Sequence, residues 1–177
     1  MNFLAKSLLV VAALGLAACN NPDRYGAGGA GGAGSVGGAG GTGIDTTGLG
    51  DPNNPASVAY FNRSIGDRVL FAVDQSTLSP EARTVLAGQA QWLIANPGYA
   101  AIIEGHADEQ GTRDYNLGLS RKRAVAAMNY LITQGVAQSR MTTIPYGKER
   151  PLEVCSEEAC YAKNRRAVTV LSVGAGV

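Results

Sequence analysis

The chain is expected to fold as an α/β (α+β) domain, a two-layer sandwich of helices on a mixed sheet in the order β-α-β-α-β-β. Two observations predict this. Short runs of strand formers alternate with two longer segments that carry helix start and stop signals, which is the pattern of helices packed against a sheet. In addition, 177 residues with 45% hydrophobic and 16% charged content suit one sizeable core with appendages.

The elements follow in order. Residues 68–73 (Arg-Val-Leu-Phe-Ala-Val) read as the first strand. Ser79 then offers a helix N-cap, Pro80 a first helical position and Glu81 a first-turn acid, and Asn96-Pro97-Gly98 must end that helix. Its expected buried stripe is Val85, Leu86, Leu93 and Ile94. Residues 99–104 form the second strand and 116–134 the second helix, which Gly135 stops. Residues 141–146 and 166–173 supply two more strands. Trp92 and the tyrosines read as packing groups.

On the second helix, a rotation of 100° per residue gathers Leu117, Ala124, Met128 and Leu131 into a narrow arc that Val125 and Ile132 widen, with Lys122, Ala126 and Asn129 opposite. Arg123 falls at the edge between the faces, placed to extend toward the preceding loop. Asp108 lies where the second strand runs out, so its carboxylate and the Arg123 guanidinium could meet across one groove. From these two residues alone, a structural ion pair and a binding site are both open.

Before the domain come two appendages. Residues 1–18 read as a lipoprotein signal peptide. Lys6 precedes an apolar run of about nine residues, 8–16, against the roughly 20 that a membrane span requires. Leu16-Ala17-Ala18-Cys19 resembles a bacterial lipobox, which implies acylation of Cys19 as the mature N-terminus; an ordinary secretory signal with an incidental Cys19 is the alternative. Several acyl chains give stable anchoring where one gives marginal binding. Asn20, in place of an Asp, favours sorting to the outer membrane. Residues 19–66 read as the lipidated N-terminus and a flexible linker, with about half of the 24 glycines between 26 and 50 and Pro52 and Pro55 stiffening its end. Its r.m.s. span is roughly 35 to 40 Å. The globular domain is assigned to 67–177.

The formal charge is +1, and Lys6 is the only charged residue of the leader, so its removal leaves 14 basic and 14 acidic residues. A neutral chain has no general attraction for nucleic acid, and any ligand must be recognised locally.

The run GHADEQGTRDYNLGLSRKRA at 105–124, with Tyr146-Gly147-Lys148-Glu149-Arg150-Pro151 and Asn164-Arg165-Arg166-Ala167-Val168, resembles the OmpA-like peptidoglycan-binding domains of outer-membrane lipoproteins. The resemblance implies that Asp108 and Arg123 bind the meso-diaminopimelate of the stem peptide, with Phe71, Gly105, Thr112 and Asn116 as groove walls. An Asp can accept from the ammonium of that residue, and an Arg presents a planar fork to its carboxylate. Phe71-Ala72-Val73-Asp74 departs from the Phe-x-Phe-Asp frequent in the family. Asn164-Arg165-Arg166 resembles a structural entry to the last strand. The resemblance further implies a non-enzymatic tether between outer membrane and cell wall that supports envelope integrity and cell division, with TolB and other Tol proteins as partners. The same wall-binding domain outside the Tol system is the alternative.

His106 is the only histidine, and Glu104, His106 and Asp108 occupy alternate positions, a weak basis for a metal site. No Ser elbow or HExxH accompanies it, so a satisfied structural role is expected, with no cofactor. In an exported chain Cys155 and Cys160 suit a disulfide worth roughly 2 kcal/mol, zinc being the lesser reading of the pair.

Overall fold

The computed structural model describes residues 49–173; the leader, Cys19 and the glycine-rich run to residue 48 lie outside the described residues. Four strands, β1 (Arg68–Leu70), β2 (Tyr99–His106), β3 (Met141–Gly147) and β4 (Arg166–Val173), form one mixed sheet in the order β1-β4-β2-β3. β4 is antiparallel to both neighbours, and β2 and β3 are parallel. The parallel pair requires a crossover, which α3 (Arg113–Thr133) provides. The chain from β1 through α2 (Pro80–Ala95) to β2 spans a gap that β4 fills. Thus the expected two layers form, with a further helix, α4 (Glu158–Asn164), before the last strand.

Ser79 caps α2 by accepting from Ala82 N at 3.1 Å, as its sequence position predicts. The buried side chains of α2 include Ala82, Leu86, Gln89, Ala90, Trp92 and Leu93, while Ile94 is 50% exposed. Ile94 therefore leaves the expected stripe, and Trp92 takes up the neighbouring core space.

α3 begins three residues earlier than expected, because the Thr112 side chain accepts from Tyr115 N and serves as N-cap. Its buried face comprises Asn116, Ser120, Arg123, Ala124, Ala127 and Leu131, with Leu117 39% exposed. Close approach explains the rotation. A Cβ on Gly105 of β2 would lie 1.9 Å from the Ser120 carbonyl oxygen, and one on Gly147 would lie 3.2 Å from Leu117 N. Only small residues fit along this seam, so Leu117 is turned outward. At the far end Gly135, at φ 101°, ends the helix as expected, and Val136 N donates to Leu131 O at 3.1 Å.

The domain starts earlier than residue 67. A one-turn helix, α1 (Val58–Tyr60), continues into a wider turn at Phe61–Gly66 that packs on α2. Phe61 is fully buried, its ring 5.0 Å from that of Trp92, which lies 5.0 Å from Tyr99. Trp92 Nε1 donates to Pro55 O at 2.7 Å and Tyr99 Oη to Ala56 O at 2.9 Å. Pro55, expected to stiffen the end of the linker, and its neighbour Ala56 supply acceptors to buried aromatics.

Among the described residues no helix is long and apolar enough to cross a membrane. Cys155 and Cys160 are joined by a disulfide with Cα atoms 5.9 Å apart, enclosing the first turn of α4.

Candidate functional site

Three segments meet at the C-terminal end of β2: the β1–α2 loop, the loop into α3, and the residues between α4 and β4. β1 stops at Leu70, and the chain then turns, with Gln75 N donating to Ala72 O and Asp74 at φ 58°, a backbone region non-glycine residues seldom occupy. Tyr115 Oη donates to Asp74 Oδ1 and braces that turn from the first turn of α3.

Asp108 is 7% exposed. Its Oδ2 receives Arg165 Nη1 at 3.1 Å, and its Oδ1 receives a longer bond, 3.3 Å, from Gln110 N. Arg165, itself buried, also donates from Nη1 and Nη2 to Glu158 on α4 and from Nε to Phe71 O at 3.3 Å. Hydrogen bonding from Arg165 holds the Glu158 carboxyl below the usual range. The ion pair considered between Asp108 and Arg123 is thus not formed: Asp108 pairs with Arg165, which the sequence motif places at the structural entry to the last strand.

Arg123 is completely buried. It reaches toward the preceding loop as expected and binds backbone carbonyls there. Nε donates to Gln75 O at 2.8 Å, Nη1 to His106 O at 2.9 Å and Nη2 to Ala72 O at 3.3 Å, with the guanidinium 5.3 Å from the Phe71 ring centroid. Burial pushes its pKa down to about 10; the Asp108 and Asp74 carboxylates oppose this and Arg165 adds to it. It remains a cation at neutral pH.

Above this cluster is a groove of about 260 Å³, lined in part by Val73, Asp74, Asp108, Gln110, Tyr115 and Asn116. Asn116 Nδ2 donates to Gln110 O at 2.7 Å and Asp108 O at 3.3 Å, fixing the loop that forms one wall. Of the six residues anticipated, Asp108 and Asn116 line the groove and Arg123 lies beneath it. Phe71 underlies Arg123, Gly105 permits α3 to approach β2, and Thr112 caps α3. Asp74, Gln110, Tyr115 and Arg165 were not anticipated. An Asp in the short loop after β1 and an aromatic in the first helical turn are the signals that could have found two of them.

His106 is 2% exposed and stacks on Tyr146 at 5.3 Å, while Arg150 lies 3.9 Å from the Tyr146 centroid. Burial and the nearby Arg166 and Arg150 charges press its pKa down to about 4. Neither ring nitrogen has a hydrogen-bond partner among the described residues, although Nε2 lies 3.5 Å from Glu104 Oε2, so the expected satisfied histidine is not found. No group of three His, Cys, Asp or Glu side chains that could hold a metal occurs among the described residues.

The OmpA family model matches residues 70–165. The chain is 54% identical over 122 residues, 69% of its length and 72% of the relative's, to the peptidoglycan-associated lipoprotein of Mesorhizobium japonicum. It is 35% identical over 175 residues to that of Haemophilus influenzae, with 95% and 98% of the two chains covered. The crystal structure of the peptidoglycan-associated lipoprotein from Burkholderia pseudomallei superposes with TM-score 0.61 at 35% identity, over 69% of this chain and 100% of that one. The C-terminal domain of Helicobacter pylori MotB shares the fold at TM-score 0.57 and 20% identity, over 62% of this chain and 86% of that one. With its mixed sheet, its loop from β2 into α3 and these relatives, the chain belongs to the OmpA family, in its peptidoglycan-associated lipoprotein branch.

Proposed function

We propose that this domain binds peptidoglycan noncovalently, without catalysis, by taking the free end of a meso-diaminopimelate side chain into the groove beside Asp108. The observation that carries this reading is the co-location of two carboxylates, Asp108 and Asp74, with the buried Arg123 cation. Such a set has the signs needed for a zwitterion. Asp108 Oδ1, engaged only by a long bond from Gln110 N, accepts from the ammonium. Arg123 has five N–H groups and three carbonyl bonds, which leaves two N–H groups for the carboxylate. The names of the relatives, peptidoglycan-associated lipoproteins, support the ligand class.

The wider role follows from the same reading. Cys19 is lipidated after removal of residues 1–18, the anchor lies in the outer membrane with the domain in the periplasm, and the linker lets both ends engage. The tether works with TolB and other Tol proteins in envelope integrity and division. Titration with a meso-diaminopimelate muropeptide is expected to show binding that Asp108→Ala abolishes; unchanged affinity in that variant would refute the groove assignment. Cys19→Ser is expected to lose acyl labelling and release the protein into the soluble periplasmic fraction, which fractionation measures.

A further inference from the structure

Asp108 does not face its groove as a free carboxylate. One oxygen, Oδ2, is held by Arg165 at 3.1 Å, and a ligand ammonium must share the carboxylate with that resident cation. The strength of Arg165's hold therefore sets how much of the carboxylate a ligand can use.

A second carboxylate competes for Arg165. Glu158 receives both Nη1, at 3.4 Å, and Nη2, whereas Asp108 receives Nη1 alone. Glu158 lies within the loop that the Cys155–Cys160 disulfide closes, in the first turn of α4, where no side chain caps the helix. The residue that bonds Arg165 thus sits inside a covalently closed loop. The same region is tied to the site by the fully buried Asn164, whose Oδ1 accepts from Leu152 N at 2.7 Å and Glu153 N at 3.1 Å and whose Nδ2 donates to Glu109 Oε1 at 2.7 Å, beside Asp108.

We propose that Glu158, held in place by the Cys155–Cys160 loop, is a positioning residue for ammonium recognition: by drawing the Arg165 guanidinium to itself, it keeps the Asp108 carboxylate available to the ligand. The inference rests on the groove reading above. It extends the binding machinery to two groups, Glu158 and the disulfide, that do not line the groove. If Glu158 is neutralised, the Arg165 charge is answered by Asp108 alone, the pair tightens, and the ligand ammonium competes less well. Because the Glu158 side chain is 66% exposed, solvent screens its pull and the effect is modest.

The test is a titration of the full-length chain with a muropeptide carrying meso-diaminopimelate and with the same muropeptide acetylated on the diaminopimelate amine. Glu158→Gln is expected to weaken binding of the first about two- to fivefold and to leave binding of the acetylated ligand unchanged. The double replacement Cys155→Ser with Cys160→Ser is expected to produce a similar loss, and adding Glu158→Gln to it no further loss. Equal weakening toward both ligands would mean that Glu158 acts on the fold and not on the ammonium, which overturns the proposal. Unchanged affinity in Glu158→Gln overturns it too, and if Asp108→Ala still abolishes binding the groove reading survives. Independent, additive losses would remove the disulfide from the mechanism. Unchanged affinity in Asp108→Ala would overturn both readings together.

Discussion

Two arginines hold the two ends of β2, and the difference between them separates scaffold from site. Arg140 gathers the carbonyls of Leu93, Asn96 and Tyr99, closing the turn from α2 into the start of the strand. Arg123 gathers those of Ala72, Gln75 and His106, closing the loop from β1 onto its end. Both use the five-donor fork to gather backbone carbonyls at a turn. Burial alone lowers the pKa of Arg140, whereas Arg123 feels Asp108, Asp74 and Arg165 besides. The same device is a clasp at one end, and at the other a clasp beneath a charged groove.

Stability should rank the two clasps. Arg123→Ala removes a fully buried guanidinium and the bond to the His106 carbonyl, which is buried, and is expected to cost about 3 to 5 kcal/mol, while Arg140→Ala, at a half-buried site that water can reach, costs about 1 to 2. Urea unfolding of both variants measures the gap. Equal, small losses would mean that Arg123 is not part of the scaffold and would break the comparison.

Binding should separate them more sharply. Asp108→Ala is expected to lose about 2 to 5 kcal/mol of affinity for a diaminopimelate muropeptide, with Arg140→Ala unchanged at temperatures where it is folded. Amidating the diaminopimelate carboxylate should weaken the wild type strongly. Arg123→Lys, which keeps a charge but loses the fork, should respond to amidation much less. Equal sensitivity in both proteins, read by calorimetric titration, would show that Arg123 serves the backbone only.

Local pattern made the groove's position legible but not its pairing. The boundaries of β4 match expectation because a β-rich run follows a polar break, and α2 starts where Ser79 and Pro80 say it should. Asp108 at a strand end and Arg123 one helix later are near each other by local geometry. Which arginine reaches the Asp108 carboxylate depends on β4 entering the sheet between β1 and β2, which carries Arg165 to Asp108. That is a long-range fact with no periodic trace. The same holds for residues 55–61, whose carbonyls and one Phe matter only because Trp92 and Tyr99 arrive to meet them. The face of α3 was displaced for a related reason: hydrophobicity points to Leu117, but Gly105 and Gly147 admit the backbone so closely that small side chains win.

The smallest expected effect concerns proton linkage, and it too should distinguish the ends of β2. The carbonyl of His106 is bound by Arg123, so protonation of this histidine acts at the groove end. Its pKa is about 4 in the folded chain, against about 6.5 when exposed in the unfolded chain. Between these values the unfolded state binds the proton and the folded state does not, so stability falls as pH drops through the window and is fully present above it. From pH 7 to pH 5 the loss is about 2 kcal/mol. Glu158, whose pKa is lowered, contributes stability that is lost only at more acidic pH, as the carboxyl takes up its proton, so it leaves this window to the histidine. His106→Phe keeps a ring against Tyr146 and removes the titration. Urea unfolding at pH 7 and pH 5 should therefore show a slope in the wild type and in Arg140→Ala, and none in His106→Phe. A slope that survives His106→Phe would assign the acid sensitivity to another group and leave the buried imidazole without a cost.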